Sequence, residues 1–206
     1  MERRGLIIGV EDVLCSTKHL HRQAWCTVLS SLNMDCRGVD ALDVLSLSRE
    51  ECLDQLLKAS ETELSPSERA VLTQEKNEQY RQLLSTLEPE QILPDVMPLL
   101  DDLREAGVVL CVGSVSKNAV LALHHLGLDD YFDVVCDGND LGERAGIEAV
   151  FAQACRSAGL KKENCIVWEN HSIKRSDAQR AGFVTVCGTP HEVRRLLRPL
   201  SPAQRA

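Results

Sequence analysis

Leu6-Ile7-Ile8-Gly9-Val10-Glu11-Asp12-Val13-Leu14 is the stretch on which the reading of this chain turns. Leu6, Ile7 and Ile8 are apolar without alternation, which suits a strand covered on both faces in a parallel sheet. The run stops at a glycine, and two carboxylates, Glu11 and Asp12, follow at once. Comparable apolar runs recur at residues 108–112, 134–136, 166–168 and 183–187. Between them lie helical patterns. Over residues 95–106, Val96, Leu99, Leu100 and Leu103 fall at i, i+3, i+4 and i+7; Pro98 is tolerated in the first turn and Gly107 ends the helix. Ala119, Ala122, Leu123 and Leu126 repeat that spacing before Gly127, and residues 149–158 and 176–181 supply two more helices. Alternating strand and helix predicts an α/β fold with a Rossmann-like parallel sheet.

Residues 15–93 break the rhythm with helical patterns alone. Leu20, Ala24, Val28 and Leu32 share one face; Cys52, Leu53, Leu56 and Leu57 mark a second helix, with Ser48 as its N-cap and Glu51 three residues on. Ser65 or Ser67 caps a third helix that runs to about Leu84. The expected organisation is a core of residues 1–14 and 94–206 with an inserted helical cap, 15–93, and a frayed tail from Pro199.

Of the 206 residues, 31 are acidic and 23 basic, a net charge of -8 that argues against a nucleic-acid partner. The apolar stretch after Met1-Glu2-Arg3-Arg4 is too short for a signal sequence, and no run approaches the ~20 residues that cross a bilayer. Nine cysteines are scattered without a CxxC pair, so they are expected to be reduced, buried small hydrophobes in a cytoplasmic protein.

Several motifs together resemble the haloacid dehalogenase superfamily, and within it the β-phosphoglucomutase-like branch. Gly9-Val10-Glu11-Asp12-Val13-Leu14 stands where that family has Asp-x-Asp-Gly-Val-Leu; Gly113-Ser114-Val115-Ser116-Lys117-Asn118 matches its Gly-Ser-x-Ser-Lys-Asn; Cys165-Ile166-Val167-Trp168-Glu169-Asn170 resembles its last acidic motif. The resemblance runs from about Leu6 to Val186. It implies an aspartyl nucleophile at position 9, a proton-moving carboxylate at position 11, and Mg2+ held in part by Glu169 and Asn170. It also implies phosphate binding by Ser114, Ser116, Lys117 and Asn118, and substrate contacts in the cap from His21, Arg49 and Lys76.

The chain departs from that pattern where chemistry is concentrated. Gly9 carries no nucleophile, Glu11 is one methylene longer than Asp, Asp12 replaces a turn glycine, and Asn170 replaces an acid. Ala145, beside Arg144, stands where a phosphate-binding Lys is usual. A carboxylate nucleophile is needed because its acyl-phosphate can break down in a second step. The expectation is therefore a catalytically impaired relative, a pseudoenzyme. It would bind a sugar phosphate, another small phosphorylated ligand or a protein partner, need no cofactor, and use Mg2+ only if activity remains. A slow Mg2+-dependent phosphatase or phosphomutase using Glu11 is the alternative, and an interaction protein without a small ligand is a third. Ser116 is open between phosphate contact and N-capping, Lys117 between substrate contact and an exposed helical turn. Cys15 and Cys111 lie near the cleft as conceivable thiol nucleophiles.

Overall fold

The computed structural model describes residues 3–45, 47–142 and 147–197. In chain order, strand β1 (Gly5–Ile8) is followed by helices α1 (Lys18–Ser31), α2 (Arg37–Asp40), α3 (Arg49–Ala59) and α4 (Pro66–Leu84). Then come α5 (Val96–Glu105), β2 (Val109–Gly113), α6 (Ala119–His125), β3 (Val134–Cys136), α7 (Ile147–Ser157), β4 (Cys165–Trp168), α8 (Ser172–Arg180), β5 (Thr185–Cys187) and α9 (Pro190–Leu197). The chain divides into two compact units: Met1–Cys15 with Glu88–Ala206, and Ser16–Leu87. Cys15 and residues 88–93 thus go with the sheet, where Cys15 bridges Ile92 and the Leu93 N–H donates to the Leu14 carbonyl at 2.7 Å.

The sheet unit carries five parallel strands in the order β3-β2-β1-β4-β5. Ile7, Cys111 and Val167 point to one face, where they pack with Val150, Phe151, Ala154 and Ala178 of α7 and α8. Period-two alternation turns Leu6, Ile8, Leu110 and Val112 to the other face, and all four are buried. Both faces of the central strands are therefore covered, which is why they read as continuous apolar runs. The α5 stripe is seated as its spacing requires, with Val96, Leu99, Leu100 and Leu103 buried. Gly107, at φ +75°, takes the left-handed position that ends the helix.

Two elements differ from the sequence expectation. Helix α8 begins at Ser172 rather than 176, because its first turn is polar and its inward residues include Lys174 and Asp177. Helix α9 was not foreseen, although Val193, Leu196 and Leu197 fall at i, i+3 and i+4; Val193 is fully buried. The tail from Pro199 lies outside the described residues.

In the helical unit, Ser48 and Ser65 each close a capping box, with Glu51 and Glu68. This decides for Ser65 over Ser67, with Pro66 pre-set at the first helical position. Trp25, Val28, Leu29, Leu53, Leu56, Leu57 and Leu72 build a separate core. One expectation fails here: Cys26 of α1 and Cys36, at the N-cap of α2, form a disulfide with Cα atoms 5.0 Å apart. That Cα separation lies within the range a disulfide spans, although the spacing is not CxxC. In the chain-entropy account, a loop of this length stabilises by about 2–3 kcal/mol. Cys26→Ala should lower the midpoint of denaturant unfolding by a corresponding amount, and reductant should shift the wild type but not the variant.

Candidate functional site

The register decides which loops meet. Ile8 is level with Val112 on one side and Trp168 on the other, and Gly113 is level with Cys136. The residues that follow these positions, Gly9, Ser114, Asp137 and Glu169, therefore emerge along one edge, at the carboxyl ends of adjacent strands. The chain leaves β1 toward β2 and β3, then crosses back to β4 on the other flank, so the switch in strand order falls at the tip of β1. Ligands of open α/β sheets bind at such a point.

Position 9 is crowded. Its N–H donates to the Trp168 carbonyl at 3.0 Å, and a Cβ built on Gly9 would stand 2.6 Å from Oε2 of Glu169. The Glu169 carboxylate thus takes the volume a side chain at position 9 would need. It is fixed there: Oε1 accepts from the His171 N–H at 3.0 Å, and Oε2 lies 3.9 Å from Nζ of Lys174. The same ammonium lies 3.9 Å from Oε2 of Glu11. All three side chains are buried, with Glu11 7%, Glu169 2% and Lys174 5% exposed. Burial pushes the Glu169 carboxyl above the usual carboxylate range; the Lys174 charge and the His171 N–H pull it back, and the Glu11 charge pushes it up.

Lys174 was not read from the sequence. It sits five residues after Glu169 on α8, in a turn expected to be loop. Helical side chains lean toward the helix N-terminus, which here returns Lys174 to the tip of β4. Its neighbour Arg175 donates to the carbonyls of Glu169 at 3.1 Å and Asn170 at 2.6 Å. The exposed Asn170 gives its amide N–H to the Asp12 carbonyl. Asp12 itself adopts φ +58°, so the position the family fills with glycine does demand the left-handed region.

The Ser114 block forms a tight loop after β2. The Ser114 N–H donates to the Cys136 carbonyl at 3.0 Å, its hydroxyl accepts from the Ser116 N–H at 3.2 Å, and the Ser116 hydroxyl accepts from the Asn118 N–H at 3.3 Å. Ser116 is not the N-cap of α6; that position belongs to Asn118. Ser114 and Asn118 are buried and Lys117 is exposed. A second loop that the sequence reading passed over braces this one. The Gly138 N–H donates to the Ser116 carbonyl at 3.3 Å, and a Cβ there would stand 2.3 Å from the Val115 carbonyl, so only glycine fits. Asn139 adds a bond from its side chain to the Lys117 carbonyl at 3.0 Å. The signal was the turn sequence Asp137-Gly138-Asn139-Asp140.

The expected cap residues lie in the helical unit. Lys76 is only 1% exposed, its Nζ 2.8 Å from Nδ1 of His21 and 4.6 Å from the centre of the Tyr80 ring. The His21 ring stacks on Tyr80 with centroids 3.9 Å apart. Arg49 donates to the Thr73 carbonyl at 3.3 Å. His21 and Lys76 are thus brought together, and Arg49 is tied to the same helix, α4. Arg144 and Ala145 lie outside the described residues.

Haloacid dehalogenase-like hydrolases match this chain over residues 4–169. The chain belongs to this family. Within it, β-phosphoglucomutase from Bacillus subtilis is 25% identical over 89% of this chain and 82% of its own. The fructose-1-phosphate phosphatase YqaB of Escherichia coli is 27% identical over 88% and 94%. The crystal structure of β-phosphoglucomutase from Clostridium difficile superposes with a TM-score of 0.77 at 25% identity, over 89% of this chain and 83% of that one. These place the chain in the β-phosphoglucomutase-like branch.

The family expectation of Mg2+ can be set against this donor set. Mg2+ needs near-octahedral oxygen ligands at about 2.0–2.1 Å. Gly9 offers none, the Asn170 amide is engaged with Asp12, and the two remaining carboxylates already share an ammonium. Among the described residues no group of three or more His, Cys, Asp or Glu side chains converges as a metal site. The residues do not fit a magnesium ion in this haloacid dehalogenase-like site.

Cys15 and Cys111 are both buried free thiols. Burial, reinforced at Cys15 by Glu11 and Asp12, pushes the Cys15 thiol up to about 12, and burial pushes Cys111 up to about 12 as well. Both therefore stay protonated at neutral pH. Iodoacetamide at pH 8 should leave Cys15 unmodified in the native protein and modify it after unfolding, as read by peptide mass; rapid native labelling would contradict the burial.

The packing at position 9 predicts a coupled pair. Gly9→Ala should destabilise by about 1–2 kcal/mol through overpacking. In a Glu169→Ala background the same change should cost at least about 1 kcal/mol less. Strict additivity in denaturant unfolding would show that Glu169 does not hold that space.

Proposed function

We propose that this chain binds a phosphorylated sugar at the carboxyl-end loops of its sheet and does not transfer the phosphoryl group through position 9. The observation that carries this is the Glu169 carboxylate standing 2.6 Å from where a Cβ on Gly9 would be. The nucleophile is missing, and the volume it would occupy is filled by a side chain that the His171 N–H and Lys174 hold in place. An aspartyl-phosphate pathway needs an attacking carboxylate free to approach phosphorus.

The binding half of the proposal rests on the Ser114 loop. Its hydroxyls accept from backbone N–H groups, which fixes them with their own O–H still able to donate toward an anion. The relatives named for phosphoglucose and fructose 1-phosphate chemistry support a sugar phosphate as the ligand class. Glu11 as a substitute acid or nucleophile is disfavoured, because it is buried and already paired with the Lys174 ammonium.

Calorimetric titration with glucose and fructose phosphates should give binding heat. Ser114→Ala should weaken that binding about tenfold, the worth of one hydrogen bond to a charged group. Phosphate release with Mg2+ should stay at the blank rate, and Gly9→Asp should not raise it. No heat with any of these sugar phosphates would sink the binding half. Turnover in the wild type that disappears in Glu11→Gln would restore the enzyme reading.

A further inference from the structure

We propose that the ammonium of Lys174 is the resident cation of this site: it stands between Glu11 and Glu169 in the position a divalent ion would take, and it closes the site to Mg2+. The geometry is symmetric, with Nζ 3.9 Å from Oε2 of each glutamate. All three groups are buried, so the charges are weakly screened and each carboxylate needs a cation at close range. Lysine supplies that cation from the chain itself.

A magnesium ion coordinating both carboxylate oxygens would sit within a few ångströms of the ammonium, in a buried setting where like charges repel strongly. It would also lack ligands. Position 9 supplies no oxygen, and the Glu169 and Asn170 carbonyls are already taken by Arg175. The side-chain amide of Asn170 is bound to the Asp12 carbonyl. The cationic first turn of α8, Lys174 with Arg175, thus occupies both the centre and the rim of the place where a metal would bind.

At 3.9 Å the ammonium is at ion-pair distance and beyond hydrogen-bond distance from either glutamate. Its donors are therefore not spent on the carboxylates and remain able to meet an anionic oxygen. If the proposed sugar-phosphate binding holds, Lys174 supplies the positive charge that a metal supplies elsewhere, and EDTA leaves the affinity unchanged. That corollary rests on the proposed function; the exclusion of metal does not.

Mn2+ serves as a paramagnetic probe for Mg2+, with free ion followed by electron spin resonance and no phosphorylated ligand present. The wild type should take up no stoichiometric Mn2+, and Mg2+ should not shift its melting temperature. Lys174→Met should bind Mn2+ at least about tenfold more tightly than the wild type, and its lowered melting temperature should rise when Mg2+ is added. Adding Glu169→Gln to that variant should abolish the gain. Lys174→Gln carries the same readouts should the methionine variant not fold. Stoichiometric Mn2+ binding by the wild type that Glu169→Gln removes would overturn the proposal. So would a folded Lys174 variant that gains neither Mn2+ affinity nor Mg2+ stabilisation.

Discussion

A side chain at position 9 and the carboxylate of Glu169 would need the same small volume at the tip of β1. Parallel pairing holds these two strand ends level, Ile8 beside Trp168, so the competition follows from the register and not from a flexible loop. Glycine at position 9 leaves that volume to Glu169, whose carboxyl group is buried there. Burial drives its carboxyl toward the protonated form, while the His171 N–H and the Lys174 ammonium oppose that drive. Each later feature of the site answers a need set up by the one before it.

Charge accounting leads to the same arrangement. At an effective dielectric of about 20, two unit charges 4 Å apart attract by about 4 kcal/mol, comparable with the several kcal/mol needed to bury each ion. One lysine between two glutamates therefore roughly offsets the burial cost without adding much net stability. Its main effect is on specificity: removing Lys174 leaves two buried carboxylates without their cation, whereas removing either glutamate still leaves the lysine one partner. The Arg22–Asp40 pair, by contrast, has 2.5 Å geometry between half-exposed side chains and can be lost at little cost.

Much of the fold was legible because its signals are local and redundant. The apolar runs of β1, β2 and β4, the α5 stripe with Gly107, and the Ser48–Glu51 box each state a structure within a few residues. The Ser114 block and the empty position 9 were legible by resemblance. Lys174 was not, because its partners Glu11 and Glu169 are distant in sequence or on the preceding strand, and a lysine in a polar helical turn usually points to water. The bracing by Gly138 was hidden for the same reason: the carbonyl it would strike belongs to a loop after another strand. The Cys26–Cys36 bond depends on the approach of two helices, which no spacing of cysteines encodes. In each case the missing information was the side-by-side position of elements that are apart in sequence.

The same division separates what holds the family fold from the groups at its site. The sheet is held by residues such as Ile7, Cys111, Val167 and Phe151, none of which reaches the carboxyl-end loops with a reactive group. Removing a carboxylate at position 9 takes nothing from that core and opens space at its edge. A strand-end glutamate filling that space is stabilised in its charged form by a nearby cation, and a helix starting three residues after Glu169 is well placed to deliver one. Gly9 and Lys174 are thus parts of one packing arrangement around Glu169. That arrangement leaves the Ser114 loop intact, with its own braces from Cys136 and Gly138. The loop proposed to bind phosphate is built separately from position 9, so the proposed binding does not depend on a side chain there.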